Sequence, residues 1–89
     1  MKPKDILPDE VNSVEKDGVI IRKGTIGAFT ENIRIIESSH ESERAYNEAS
    51  ADLLRLIPAL QKLRFFDFYS VKSARARKLI QQAYPTIRL

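Results

Sequence analysis

The stretch Leu63 to Lys78, LRFFDFYSVKSARARK, holds the residue types that could do chemistry on a nucleic acid. Four of the chain's seven aromatic residues, Phe65, Phe66, Phe68 and Tyr69, fall within five positions. Lys72, Arg75, Arg77 and Lys78 follow, and Lys62 and Arg64 stand just before. Rings stack on bases and cations displace counterions from phosphates, which makes these six cations candidate nucleic-acid contacts. The competing reading makes the rings a core plug, or a patch for a protein partner, with the cations on an ordinary solvated helix.

The spacing favours the second reading. On a final helix that buries Ala76, Leu79, Ile80 and Ala83, Arg75 and Lys78 fall on one outer flank and Arg77 on the other. They form no single stripe. A basic residue ahead of alternating aromatics also marks the RNA-recognition motif, but that motif's glycines are missing here and Asp67 would repel phosphate. Read as an extended segment, Phe66 and Phe68 face one way and Phe65, Asp67 and Tyr69 the other. Both sets do not fit one small core, so Phe65, Phe68 and Tyr69 are candidates for a partner surface.

Two other clusters have chemical potential. Arg22, Lys23, Gly24 and Thr25 place two cations and a glycine where a strand meets a helix, a candidate anion site of free N–H groups and helix dipole. The order is wrong for a P-loop, because the lysine precedes the glycine. His40 is the chain's one histidine, and Glu37, His40 and Glu43 would share a helical face if the helix ran through. SSHES reads as a break, which leaves His40 in an exposed loop and no metal site. No nucleophile, base and acid come together in a supporting context, so the expectation is no enzyme and no cofactor.

Elements to position these residues follow from periodicity. Val11–Val14 and Val19–Arg22 flank Asp17-Gly18, a hairpin signal, since glycine takes the positive φ such a turn needs. Thr25 suits the N-cap of a helix along which Ile26, Phe29, Ile33 and Ile36 recur on one face. Ala28 and Ile35 lie on the opposite side, a second apolar facet that joins the candidate partner surface. Ser39 or Ser42 caps the next helix, where Tyr46, Ala49, Leu53, Leu56, Leu60 and Leu63 keep phase through Pro58. Survival of the phase predicts a kink there rather than a loop. The last helix is expected to start at Ser70 or Ser73 and end at Pro85.

Composition bounds the rest. A chain of 89 residues with 43% hydrophobic content makes one domain, residues 1–89, with a core small enough that self-association would help it. Without cysteine there is no disulfide framework, zinc ribbon or thiol chemistry. No apolar run approaches the roughly 20 residues of a membrane span, and the lysines near the start have no hydrophobic stretch behind them. These features predict a cytoplasmic protein with no membrane and no metal partner. The net charge of +3 is uneven: residues 41–60 carry −2 and residues 61–89 carry +6. Such a division can steer a partner or draw two copies together.

VIIRKGTIGAFTENIRI and LLRLIPALQKLRFFDFY together resemble a small family of bacterial domains of unknown function. The shared features are a strand ending in a Lys/Gly/Thr turn, Asn32 on the next helix, and Pro58, Leu60 and Leu63 ahead of Phe66, Asp67 and Phe68. The resemblance spans residues 19–69 and implies a compact bacterial domain, with no activity attached.

The sequence therefore predicts an α+β fold, an N-terminal β-hairpin packed on about three helices with the long middle one kinked at Pro58. The expected role is a non-enzymatic protein-interaction module or homodimer. The alternative is nucleic-acid binding through the basic C-terminal third.

Overall fold

A computed structural model describes residues 13–22 and 24–89. Helix dominates. Strands β1 (Ser13–Lys16) and β2 (Val19–Arg22) precede helices α1 (Thr25–Glu37), α2 (Glu43–Lys62), α3 (Phe65–Phe68) and α4 (Ala74–Ala83). The strands pair antiparallel with Lys16 opposite Val19, so Asp17 and Gly18 form a two-residue turn. Their φ angles of 51° and 81° are both positive, as a type I′ turn requires. The first strand reaches Lys16, past the expected end at Val14, and Val11 and Asn12 lie outside the described residues. Ile21 is buried and Ile20 exposed, the alternation of a ribbon that covers α2 with one face.

Helix α1 opens differently from expectation. Gly24, at φ 79°, occupies the cap position, a left-handed conformation that costs a residue without Cβ little. Its carbonyl accepts from the Ala28 N–H at 2.7 Å. Thr25, expected as the cap, is the first helical residue and is buried. Phe29 and Ile36 are buried beside it, while Ile26 stands 45% exposed. At about 100° per residue Ile26 lies roughly 80° from the centre of the buried arc, so the helix settles on Thr25, Phe29 and Ile36.

Helix α2 begins at Ser42, whose hydroxyl accepts from the Ala45 N–H at 3.1 Å, and runs unbroken through Pro58. Ala49, Leu53, Ile57 and Leu60 form its buried stripe. Ile57 takes the fully buried place expected of Leu56, which is half-buried. Proline has no N–H, so Pro58 leaves the carbonyl four residues back, that of Leu54, without its helical donor. The Tyr84 hydroxyl donates to that carbonyl at 3.4 Å. A side chain beyond the end of α4 thus answers the backbone defect that the proline creates.

Arg64, at φ 58°, ends α2 in the left-handed region, and its N–H donates to the Gln61 carbonyl at 3.0 Å. This reversal lets Phe65–Phe68 form a helical turn instead of the expected extended segment, closed by the Tyr69 N–H on the Phe65 carbonyl at 2.9 Å. An additional one-turn helix is the result. The chain then extends to Ser73, burying Val71 on the way.

Ser73 starts α4, three residues later than the earlier of the two expected starts. Its hydroxyl accepts from the Ala76 N–H and donates to the Glu37 carboxylate at the end of α1. One side chain therefore caps α4 and ties it to α1. Ser73→Ala is expected to lower stability by about 1–2 kcal/mol, measured as a shift in urea midpoint. Glu37→Gln, which keeps an acceptor, should cost less.

The core joins Phe29, Ile36, Ala49, Leu53, Ile57, Leu60, Val71, Ala76 and Ile80. Ala83, expected inward, is exposed. Tyr84, Ile87 and Leu89 pack on the cluster in its place, since α4 ends at Ala83 and the following turn brings them over.

Candidate functional site

The aromatic segment divides where the short helix turns. Phe65 and Phe66 are half-buried and meet Phe29 edge-on, each with ring centres 6.1 Å from it. They meet each other at 5.3 Å and 89°, so three rings form a T-shaped cluster, the arrangement the aromatic quadrupole favours. Tyr69 lies one helical turn beyond Phe65 and tilts onto it at 4.9 Å and 31°. Phe68 is 75% exposed and Tyr69 62%. The extended reading grouped Phe66 with Phe68. A helical turn instead sends Phe65 and Phe66 inward and leaves Phe68 outward.

Charge beside these rings is cancelled locally. Arg64 Nε donates to Asp67 Oδ2 at 2.7 Å, both groups exposed. The exposed rings thus sit next to a closed ion pair rather than beside a free carboxylate. Ile26, exposed one turn before Phe29 on α1, adds apolar surface at the same end of that helix. Sequence periodicity places Ile26 inside, and only the packing of α1 reveals it.

The other members of the candidate partner surface are dispersed. Ala28 is exposed but lines a shallow groove with Asn32, Asp52, Arg55 and Leu56 between α1 and α2. Ile35 is half-buried against the core, so it offers no separate facet. Phe65 backs the exposed rings more than it presents itself.

The six candidate nucleic-acid cations are likewise separated. Lys62 Nζ stands 3.8 Å from Asp17 of the hairpin turn, and Arg64 is held by Asp67. Arg75 Nη1 donates to the Ile36 carbonyl at 3.4 Å and Arg77 Nη1 to the Val71 carbonyl at 3.3 Å. These last two contacts staple α4 to the end of α1 and to the extended segment. Lys72 and Lys78 are exposed without an ion pair among the described residues.

Of the candidate anion site, Lys23 and the Arg22 side chain lie outside the described residues. Gly24 is exposed and Thr25 buried, so the threonine does not stand open at the helix start as a capping hydroxyl would. His40 sits in the exposed loop between α1 and α2, its backbone N–H on Ser38 Oγ at 3.2 Å. Among the described residues no group of three His, Cys, Asp or Glu side chains is placed to hold a metal. Nor is any described helix long and apolar enough to cross a membrane. On α1 the exposed Arg34 donates to Glu31, which holds the Glu31 carboxyl below its usual range and the Arg34 guanidinium above its own.

Comparisons with family models, with curated proteins and with solved structures return no match. The functional reading rests on the residues themselves.

Proposed function

We propose that this chain is a non-enzymatic protein-interaction module whose exposed rings, Phe68 and Tyr69, pair with the same rings of a second copy. The observation that carries this reading is Phe68, three-quarters exposed on a helical turn whose other rings are packed. A large ring held out in water on an ordered support loses little conformational freedom when it docks.

Three features support a second copy as the occupant. An apolar aromatic patch is complementary to itself, since rings stack offset on rings, and a two-fold axis brings identical patches together. The Arg64–Asp67 pair cancels the two charges that flank the rings most closely in sequence. A small domain also gains proportionally more from extra buried surface than a large one. The patch is small, which fits a reversible dimer with a dissociation constant on the order of 100 µM rather than an obligate one.

Light scattering coupled to size exclusion tests the reading across a range of concentrations. The wild-type mass should rise above the 10.2 kDa chain mass towards twice that value. Phe68→Asp should hold the protein at the monomer mass with an unchanged circular dichroism spectrum, because the ring it removes supports no core contact. A wild-type chain that stays monomeric at millimolar concentration would refute self-association.

A further inference from the structure

A second feature of the surface shares no residue with the ring face. Between α2 and α4 lies an open cleft of about 500 Å³ lined by Tyr46, Arg75, Lys78, Leu79 and Gln82. Among the described residues no carboxylate lines it. We propose that this cleft docks an acidic peptide segment of a protein partner, through Arg75 and Lys78 on carboxylates and Leu79 on an apolar side chain between them.

Arg75 and Lys78 are three residues apart on α4 and therefore neighbours on its surface. The bond from Arg75 Nη1 to the Ile36 carbonyl orients the guanidinium and leaves its other N–H groups open to a carboxylate. Lys78 is exposed and carries no ion pair among the described residues. Leu79 and Tyr46 are half-buried and packed on the core, so they make a fixed apolar floor. Cations above an apolar floor suit a strand of glutamates with an interposed leucine.

The shape and charge favour a peptide over other occupants. The cleft is open to solvent rather than enclosed, which suits a segment of chain better than an enclosed small molecule. Two cations with one partly covered ring are a poor stacking track for a single strand, which needs successive exposed rings along a basic groove. Three of the remaining cations of residues 61–89 are engaged elsewhere, as the contacts of Lys62, Arg64 and Arg77 show.

The test is a heteronuclear NMR titration of the whole chain with a blocked synthetic peptide, Glu-Glu-Leu-Glu-Glu-Leu, at low salt. Shifts should concentrate at Tyr46, Arg75, Lys78, Leu79 and Gln82. Affinity should weaken about tenfold on raising the salt to several times the starting concentration, and at least about tenfold in Lys78→Glu. Lys78 is solvent-exposed, so this variant keeps its fold, verified by its amide spectrum. Phe68→Asp should bind the peptide as wild type does, which separates this cleft from the ring face. Absence of shifts at saturating peptide, equal binding by Lys78→Glu, or tighter binding of an oligothymidine at the same residues would each overturn the proposal.

Discussion

Phe29→Ala lowers the stability of this domain by about 3–5 kcal/mol, the range for removing a large buried ring. Phe29 is 3% exposed, and its ring meets both Phe65 and Phe66 edge-on at 6.1 Å. The alanine loses the transfer energy of the ring, opens a cavity between α1 and α3, and removes two edge-to-face contacts together. Domains of this size have total stabilities of about 5–15 kcal/mol, so the variant sits close to unfolding. Urea denaturation followed by circular dichroism measures the change. Phe68→Ala, by contrast, should stay within about 0.5 kcal/mol of wild type, as exposed substitutions do. A loss below about 1 kcal/mol for Phe29→Ala would mean that the ring cluster is no part of the core.

Pro58→Ala raises stability by about 1–3 kcal/mol, because proline in a helix interior is about 3 kcal/mol less favourable than alanine. The structure recovers part of that cost through Tyr84. The alanine N–H would bond to the Leu54 carbonyl as the helix demands, making the tyrosine hydroxyl redundant. A double-mutant cycle isolates the effect. In the wild-type background Tyr84→Phe should cost about 1 kcal/mol, the penalty of leaving a partly buried carbonyl unpaired. In the Pro58→Ala background it should cost close to nothing. Equal losses in both backgrounds would show that the Tyr84 hydroxyl does not act through the carbonyl that Pro58 leaves unpaired.

Much of this fold is legible from residue spacing. The positions of the two long helices follow from apolar steps of three and four, and Ser42 and Ser73 both cap where their spacing allows a cap. Misplaced boundaries have physical causes. On α2, Leu56 and Ile57 are adjacent apolar residues near the same face, and only the neighbouring elements decide which of them is covered. Ile26 continues the stripe of α1 in sequence, yet Thr25 is buried in its stead, because Gly24 turns the chain at φ 79° before the helix begins.

The aromatic segment departs from expectation for a different reason. A left-handed Arg64 is not foretold by its residue type, since glycine or asparagine ordinarily takes that place. Without that reversal the rings read as extended, which groups their two faces wrongly. The Tyr84–Leu54 bond spans 30 residues, and although Pro58 announces an unpaired carbonyl, no local signal names its donor. The basic run shows its charge in the sequence but not its grouping, because side chains reaching the Ile36 and Val71 carbonyls depend on how α4 docks.

Surface chemistry follows from these placements. Packing consumes Phe65 and Phe66, leaves Phe68 and Tyr69 outside, and closes Asp67 onto Arg64. The stacking of Tyr69 on Phe65 holds one of the two outer rings in a defined orientation. On the proposed reading, this is the surface that meets another apolar surface, that of a second copy.

The most direct measurement of that claim is the molar mass of wild-type and Phe68→Asp chains, determined by light scattering over a wide concentration series. Wild type should climb from one chain mass towards two, while the variant stays at one with its helical spectrum intact. Identical curves for the two proteins, whether both flat or both rising, would contradict the assignment of the outer rings as the contact surface.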